Sequence, residues 1–294
     1  MGRSSTKPLK PSPLRAILSL LGLAFLLASC NGTTGDALIT FTAYARGPAG
    51  ASQPFTVGAY SIALTKAQMR IGAVYVDQSP LGNQAEGPVC IVPDVFAAQV
   101  PGPIEVDLLS DQAQEFSVYG QGTLDKGLSW QMWLTDGDIN EVNHAHMVDL
   151  QGVATRTADG KTFPFAAIVT INDNRLVTTV DPASPGANPI CKQRIVLIGG
   201  LDTAFFDGGQ LTVTVDPRAW FPLDYDFANL PSVQSATCVN GDTDVPIDPA
   251  VDFGDATVCI PDTNLASGAG ASQGAELFAA ILGGGSAAYS LAFK

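Results

Sequence analysis

The two histidines of the chain, His144 and His146, stand two residues apart in the run NHAHMVDL. On a β-strand, residues two apart point to the same face. Two neutral imidazoles so placed reach a common point, as zinc and copper sites require. A regular strand would set them on the face of Val142, Val148 and Leu150, with Met147 and Asp149 on the other. A third ligand has to come from elsewhere, and Asp136, Asp138, Glu141 and Met147 are only near in sequence. The competing reading is structural: two histidines near a sheet end, hydrogen-bonded to backbone, at the intermediate burial usual for this residue.

Two oxygen-rich runs suggest a harder cation. In DGDINE, Asp136, Asp138 and Asn140 alternate as in the opening of a calcium loop, but Glu141 replaces the required glycine and Met147 holds the twelfth position. A polar turn accounts for it more simply. In NGDTDVPID, Asn240, Asp242, Asp244 and Asp248 bring spaced oxygens with no basic neighbour, a pattern that suits Ca²⁺ or a solvated acidic loop. A divalent metal ion is thus the candidate cofactor. Catalytic motifs are missing. There is no G-x-S-x-G nucleophile elbow, no phosphate-cradling glycine loop with its lysine, and no dinucleotide fingerprint. Nothing singles out two carboxylates as a hydrolytic pair. Trp130, Trp133, Phe205, Phe206, Trp220 and Phe221 are candidates for a sugar- or protein-binding surface or for core; on a strand Trp130 and Trp133 face opposite sides.

The N-terminus carries an address. Arg3, Lys7, Lys10 and Arg15 precede an apolar run from Ala16 to Ala28, and no acidic residue occurs before Cys30. Such a run is shorter than the roughly 20 residues of a membrane-spanning helix and fits an export signal. Its end, Leu27-Ala28-Ser29-Cys30, resembles the bacterial lipoprotein lipobox. That resemblance implies cleavage before Cys30 and acylation of the cysteine. With Asn31 and not Asp next, it further implies an outer-membrane lipoprotein, periplasmic or surface-facing. Cleavage after residue 29 removes four of fifteen basic residues and none of twenty-eight acidic ones, leaving a formal charge of −17. Such a body repels nucleic acid. The partners expected are the membrane, through the anchor, and a protein, glycan or metal-ion ligand of the envelope.

Setting Cys30 aside leaves an even set, Cys90, Cys191, Cys238 and Cys259, which in an exported protein reads as two disulfides. Three connectivities exist. Cys238 and Cys259 flank one Asp-rich segment and are paired with each other, which leaves Cys90 with Cys191. No two cysteines have the close spacing of a zinc site.

The elements that must position these residues are strands. ALITFTAYA, FTVGAYSIALTKAQMRIGAVYVDQ, PIEVDLL, EFSVYGQG, LSWQMWLT, NHAHMVDLQGVAT, FPFAAIVTIN, RLVTTVDP, QRIVLIGG and QLTVTVDP are separated by Gly, Asp, Asn and Pro. One helix is expected over SQGAELFAAIL, followed by a closing strand in AAYSLAFK. The expected fold is mainly β, an antiparallel β-sandwich or flattened barrel with one short C-terminal helix and a long acidic loop. Residues 1–29 form the signal, 30–37 a lipidated tether, and 38–294 a single domain with a disulfide-closed acidic insertion at about 232–271. The expected function is a lipid-anchored envelope protein with a binding or structural role. Metal binding at His144 and His146 or at the Asp-rich loop is the alternative. A hydrolase of extracellular polymers is the third class.

Overall fold

The computed structural model describes residues 37–80, 95–134, 146–170, 195–234, 254–260, 277, 281 and 288–294. Contacts divide the chain into a unit Met1–Ala37 and a unit Leu38–Lys294, and every element below belongs to the second. The described residues are mostly strand, as the period-2 pattern requires. In order they are β1 (Ile39–Arg46), β2 (Phe55–Val57), β3 (Tyr60–Ile71), β4 (Ala73–Asp77), β5 (Phe96–Val100), β6 (Ile104–Asp107), β7 (Gln114–Glu115), β8 (Gly120–Gly122), β9 (Lys126–Leu134), β10 (His146–Arg156), β11 (Thr162–Thr170), β12 (Ile195–Ala204), β13 (Gln210–Val215), β14 (Val258–Ile260) and β15 (Tyr289–Phe293).

They form two sheets. The larger runs β12-β9-β4-β5-β8-β1-β13-β15, with β7 added beside β1. Its two ends approach each other, β12 against β15, and Phe205 and Phe293 stack there at 4.5 Å. The sheet is therefore a nearly closed barrel, which leaves little free edge. The smaller sheet runs β14-β11-β10-β3-β2, with β6 on β3. Most pairs are antiparallel, as expected, but β1 pairs β13 and β11 pairs β14 in parallel. One arm belongs to both sheets: β3 passes through Gly72 into β4, and the Gly72 N–H donates to the Trp133 carbonyl at 2.8 Å.

Alternation builds the core. Along β3 the residues Ala67, Met69 and Ile71 are buried while Lys66, Gln68 and Arg70 face outward. Inner faces of both sheets join one cluster that includes Phe41, Ile62, Met69, Met132, Leu150, Phe165 and Val213. Burying each large apolar side chain is worth about 1.5–3 kcal/mol. Trp220 is fully buried within it, and its indole N–H donates to the Tyr289 hydroxyl at 3.2 Å. Asp216-Pro217 ends β13, as Asp-Pro foretells, and opens a 3-10 turn over Pro217–Trp220 capped by the Asp216 carboxylate.

The expected closing strand is β15, paired antiparallel with β13. Most of the expected helix at 272–282 lies outside the described residues. Of its residues Leu277 and Ile281 are described, and both are buried in the core. Of the acidic insertion, residues 232–234 and 254–260 are described. β14 lies beside β11, and Val233 and Cys259 pack with Ala166 and Ile168.

Candidate functional site

Two β-bulges shape the outer face of the smaller sheet. Between β10 and β11, His146 pairs Thr170 and Val148 pairs Val169, so Met147 is an extra residue. Between β10 and β3, Gln151 pairs Lys66 and Gly152 pairs Leu64, so Thr65 is extra. A bulge shifts the phase of every residue beyond it. The first corrects the expectation for the histidine strand. Met147 turns into the core at 0% exposure, together with Val148. His146 comes out onto the exposed face shared with Asp149. It does not continue the apolar stripe of Val148 and Leu150, because the bulge breaks the strict alternation that placed it there. The second bulge sets Lys66, Gln68 and Arg70 on that same outer face.

These side chains, with Glu105 from β6, line a groove of about 440 Å³ whose floor includes Met69. Strand register fixes the layout. Asp149 pairs Gln68 across one side of β3, and Glu105 pairs Arg70 across the other. The Lys66 ammonium bonds the Asp149 carboxylate through Oδ2. Asp149 Oδ1 is shielded from water and has no hydrogen-bond partner. A shielded carboxylate oxygen left so is costly and demands a donor. The Arg70 guanidinium approaches Glu105 at 3.5 Å, an ion pair and not a well-formed hydrogen bond. Its fork of five donors is otherwise open to the groove. The site thus sets donors from Lys66, Gln68, Arg70 and His146 beside acceptors from Asp149 and Glu105. Among the described residues no three metal-ligating side chains come together.

A second polar cluster lies on the outer face of the barrel and was not foreseen. Asp77, at the end of β4, and Gln131, in β9, are both fully buried, and the Gln131 amide donates to Asp77 Oδ1 at 2.9 Å. The Trp133 indole N–H donates to Gln131 Oε1 at 3.3 Å. Its ring packs on Tyr75 at 4.5 Å, which in turn meets Phe96 at 4.7 Å. Trp130, on the opposite face, is core, as alternation requires. The signal available in sequence was a polar residue in each of two apolar strands, VYVD and SWQMW.

Charge is also organised at the far end of β10. The Tyr60 hydroxyl donates to Asp226 Oδ1 at 2.5 Å. Burial, followed by that carboxylate, raises the Tyr60 pKa. Arg156 grips Asp159 with two hydrogen bonds of 3.0 and 2.6 Å. That guanidinium, aided by the Lys161 N–H, holds the Asp159 carboxyl down at about 2.

The remaining candidates, Cys30, Cys90, Cys191, Cys238, His144, Asp242, Asp244 and Asp248, lie outside the described residues, as does the calcium-like run DGDINE. No helix among the described residues is long and apolar enough to cross a membrane. No family model matches the chain, and no curated protein matches it. Among solved structures, MbnP from Methylosinus trichosporium is similar at 11% identity over 88% of this chain and 99% of that one. The TM-score of 0.32 is too low to carry an argument, so function rests on the chain's own side chains.

Proposed function

We propose that the protein is a lipid-anchored envelope protein that binds a short glycan in the groove between the two bulges. The anchor follows from the lipobox at Cys30, with the mature domain stapled by Cys238–Cys259 and Cys90–Cys191 disulfides. The binding reading is carried by one observation, the groove that sets the under-used Arg70 fork, Gln68 and His146 beside the accessible Glu105 carboxylate. A sugar hydroxyl both donates and accepts. It would donate to Glu105 while taking a hydrogen bond from Arg70 or Gln68. The groove volume falls within the roughly 300–1,000 Å³ of small-ligand sites. The formal charge of −17 favours a neutral glycan over an acidic one.

Amide chemical-shift mapping with maltotriose, triacetylchitotriose and trigalacturonate tests this. A neutral trisaccharide is expected to shift the signals of Gln68, Arg70 and Asp149. Arg70→Gln should weaken it about tenfold or more, the worth of one charge-assisted hydrogen bond. No shift with any of the three at millimolar concentration overturns the glycan reading.

The metal alternative has one observation in its favour, that the bulge brings His146 onto the face of Asp149. Against it stand two fixed cations, Lys66 and Arg70, in the same groove, which repel a divalent ion. Zinc titration is expected to leave the melting temperature unchanged. A stoichiometric stabilisation lost in His146→Ala would restore the metal reading.

A further inference from the structure

Eight large apolar side chains are exposed among the described residues. Five of them, Leu38, Val95, Phe96, Leu124 and Phe206, gather on one rim of the barrel. Backbone connections prove the gathering. The Thr40 N–H donates to Asp207 Oδ1 at 2.8 Å, and the Gly208 N–H donates to the Thr40 carbonyl at 2.8 Å. These bonds hold the 205–209 turn, with Phe206, beside the start of β1. Ile39 pairs Gly122, two residues before Leu124. The Gln78 side chain donates to Asp125 Oδ2 at 2.8 Å and its N–H to the Val95 carbonyl at 2.9 Å, which brings in Val95 and Phe96. Leu38 is 84% exposed and Leu124 58%. The remaining three, Val118, Tyr119 and Leu223, lie away from this rim. An apolar concentration of this kind marks an interaction site.

The chain itself says what meets this rim. Leu38 is its first residue, and the acylated cysteine of the proposed anchor is eight positions upstream. Eight residues span at most about 29 Å even when fully extended, so the rim is the part of the body covalently tied closest to the bilayer. We infer that this rim rests in the interfacial layer of the membrane that holds the anchor, with Leu38, Leu124 and Phe206 buried among lipid headgroups and upper acyl chains. The inference rests on the lipid-anchored reading of Cys30. The strongly acidic body opposes anionic lipid, so the surface it fits is zwitterionic. Lys126 and Lys294 flank the rim, Lys126 paired with Asp202 at 2.5 Å. The anchor raises the local concentration of lipid and so lets a patch too small to bind alone engage. The rim contact in turn supplies the second attachment that a stable lipid anchor benefits from.

The test uses the full lipidated chain in phosphatidylcholine vesicles. Phe206→Trp places a reporter in the rim, and Leu223→Trp places one at an exposed site far from it. The three native tryptophans, buried Trp130 and Trp220 and half-buried Trp133, are common to both reporters, and their quenching is subtracted with the unsubstituted chain. Lipids brominated at shallow acyl positions are expected to quench Phe206→Trp at least about threefold more than Leu223→Trp, as a depth of about 5–10 Å requires. Leu38→Ser with Leu124→Ser in the Phe206→Trp background should remove most of the difference. Flotation with the vesicles with equal, weak quenching of both reporters overturns the rim inference while the anchor stands. Failure of the chain to take up fatty acid at Cys30 overturns the anchored reading and the rim inference with it.

Discussion

Replacing Lys66 by Met removes an ammonium and nothing else of comparable size, and the consequence falls on Asp149. The carboxylate side chain is 13% exposed and already has one oxygen without a partner. Without Lys66 it becomes a shielded and uncompensated negative charge. Breaking a fully buried pair in this way costs about 3–5 kcal/mol, whereas exposed pairs give about 0.2–1 kcal/mol. The Lys66 side chain is 36% exposed, so solvent screens part of the effect and about 1.5–2.5 kcal/mol is expected. For a domain of this size that lowers the melting temperature by roughly 3–10 °C. Asp149→Asn is the contrasting perturbation. It leaves Lys66 free to turn into water and removes the charge that was hard to bury, so it should cost less than about 0.5 kcal/mol. In the double variant the two changes should recover most of the Lys66→Met loss. Urea titration followed by tryptophan fluorescence reads all three. A Lys66→Met cost below that of Asp149→Asn, or strict additivity, refutes the argument that the groove strains Asp149.

Gly120→Ala places a Cβ 2.0 Å from the Phe41 ring, and thermal melting should show an overpacking loss of about 1–3 kcal/mol that Phe41→Leu partly restores. Trp220→Phe deletes the indole donor to the buried Tyr289 hydroxyl and should cost about 1–2 kcal/mol in the same assay. Asp159 is held near 2, below its unfolded value of about 3.9. Its ion pair therefore stabilises fully above that unfolded value and fades as the pH falls through about 2. A carboxyl-carbon NMR titration should show that low midpoint and an upward move in Arg156→Gln.

The strand-rich class was legible because period-2 alternation is local, as in the inward Ala67, Met69 and Ile71. The closing strand Tyr289–Phe293 and the turn after Asp216-Pro217 were legible for the same reason. The barrel closure was not, since it depends on β12 meeting β15, two strands far apart in sequence. The facing of His146 was misread because a bulge at Met147 carries no marker in sequence; neither a glycine nor a proline signals it. The groove was missed for a related reason. Its members come from β3, β6 and β10, and each looked like an ordinary outward polar residue of its own strand. Asp77 and Gln131 escaped notice because alternation assigns a residue to a face and does not report whether that face is buried.

The arm that runs from β3 through Gly72 into β4 has a thermodynamic consequence. A 12-residue strand of one sheet and a five-residue strand of the other are one continuous piece of backbone, and both feed a single core. Neither sheet can open fully without pulling a central strand out of its neighbour. Amides of Met69 and Val76 should therefore exchange with solvent through the same global event, and the two sheets should melt as one cooperative transition.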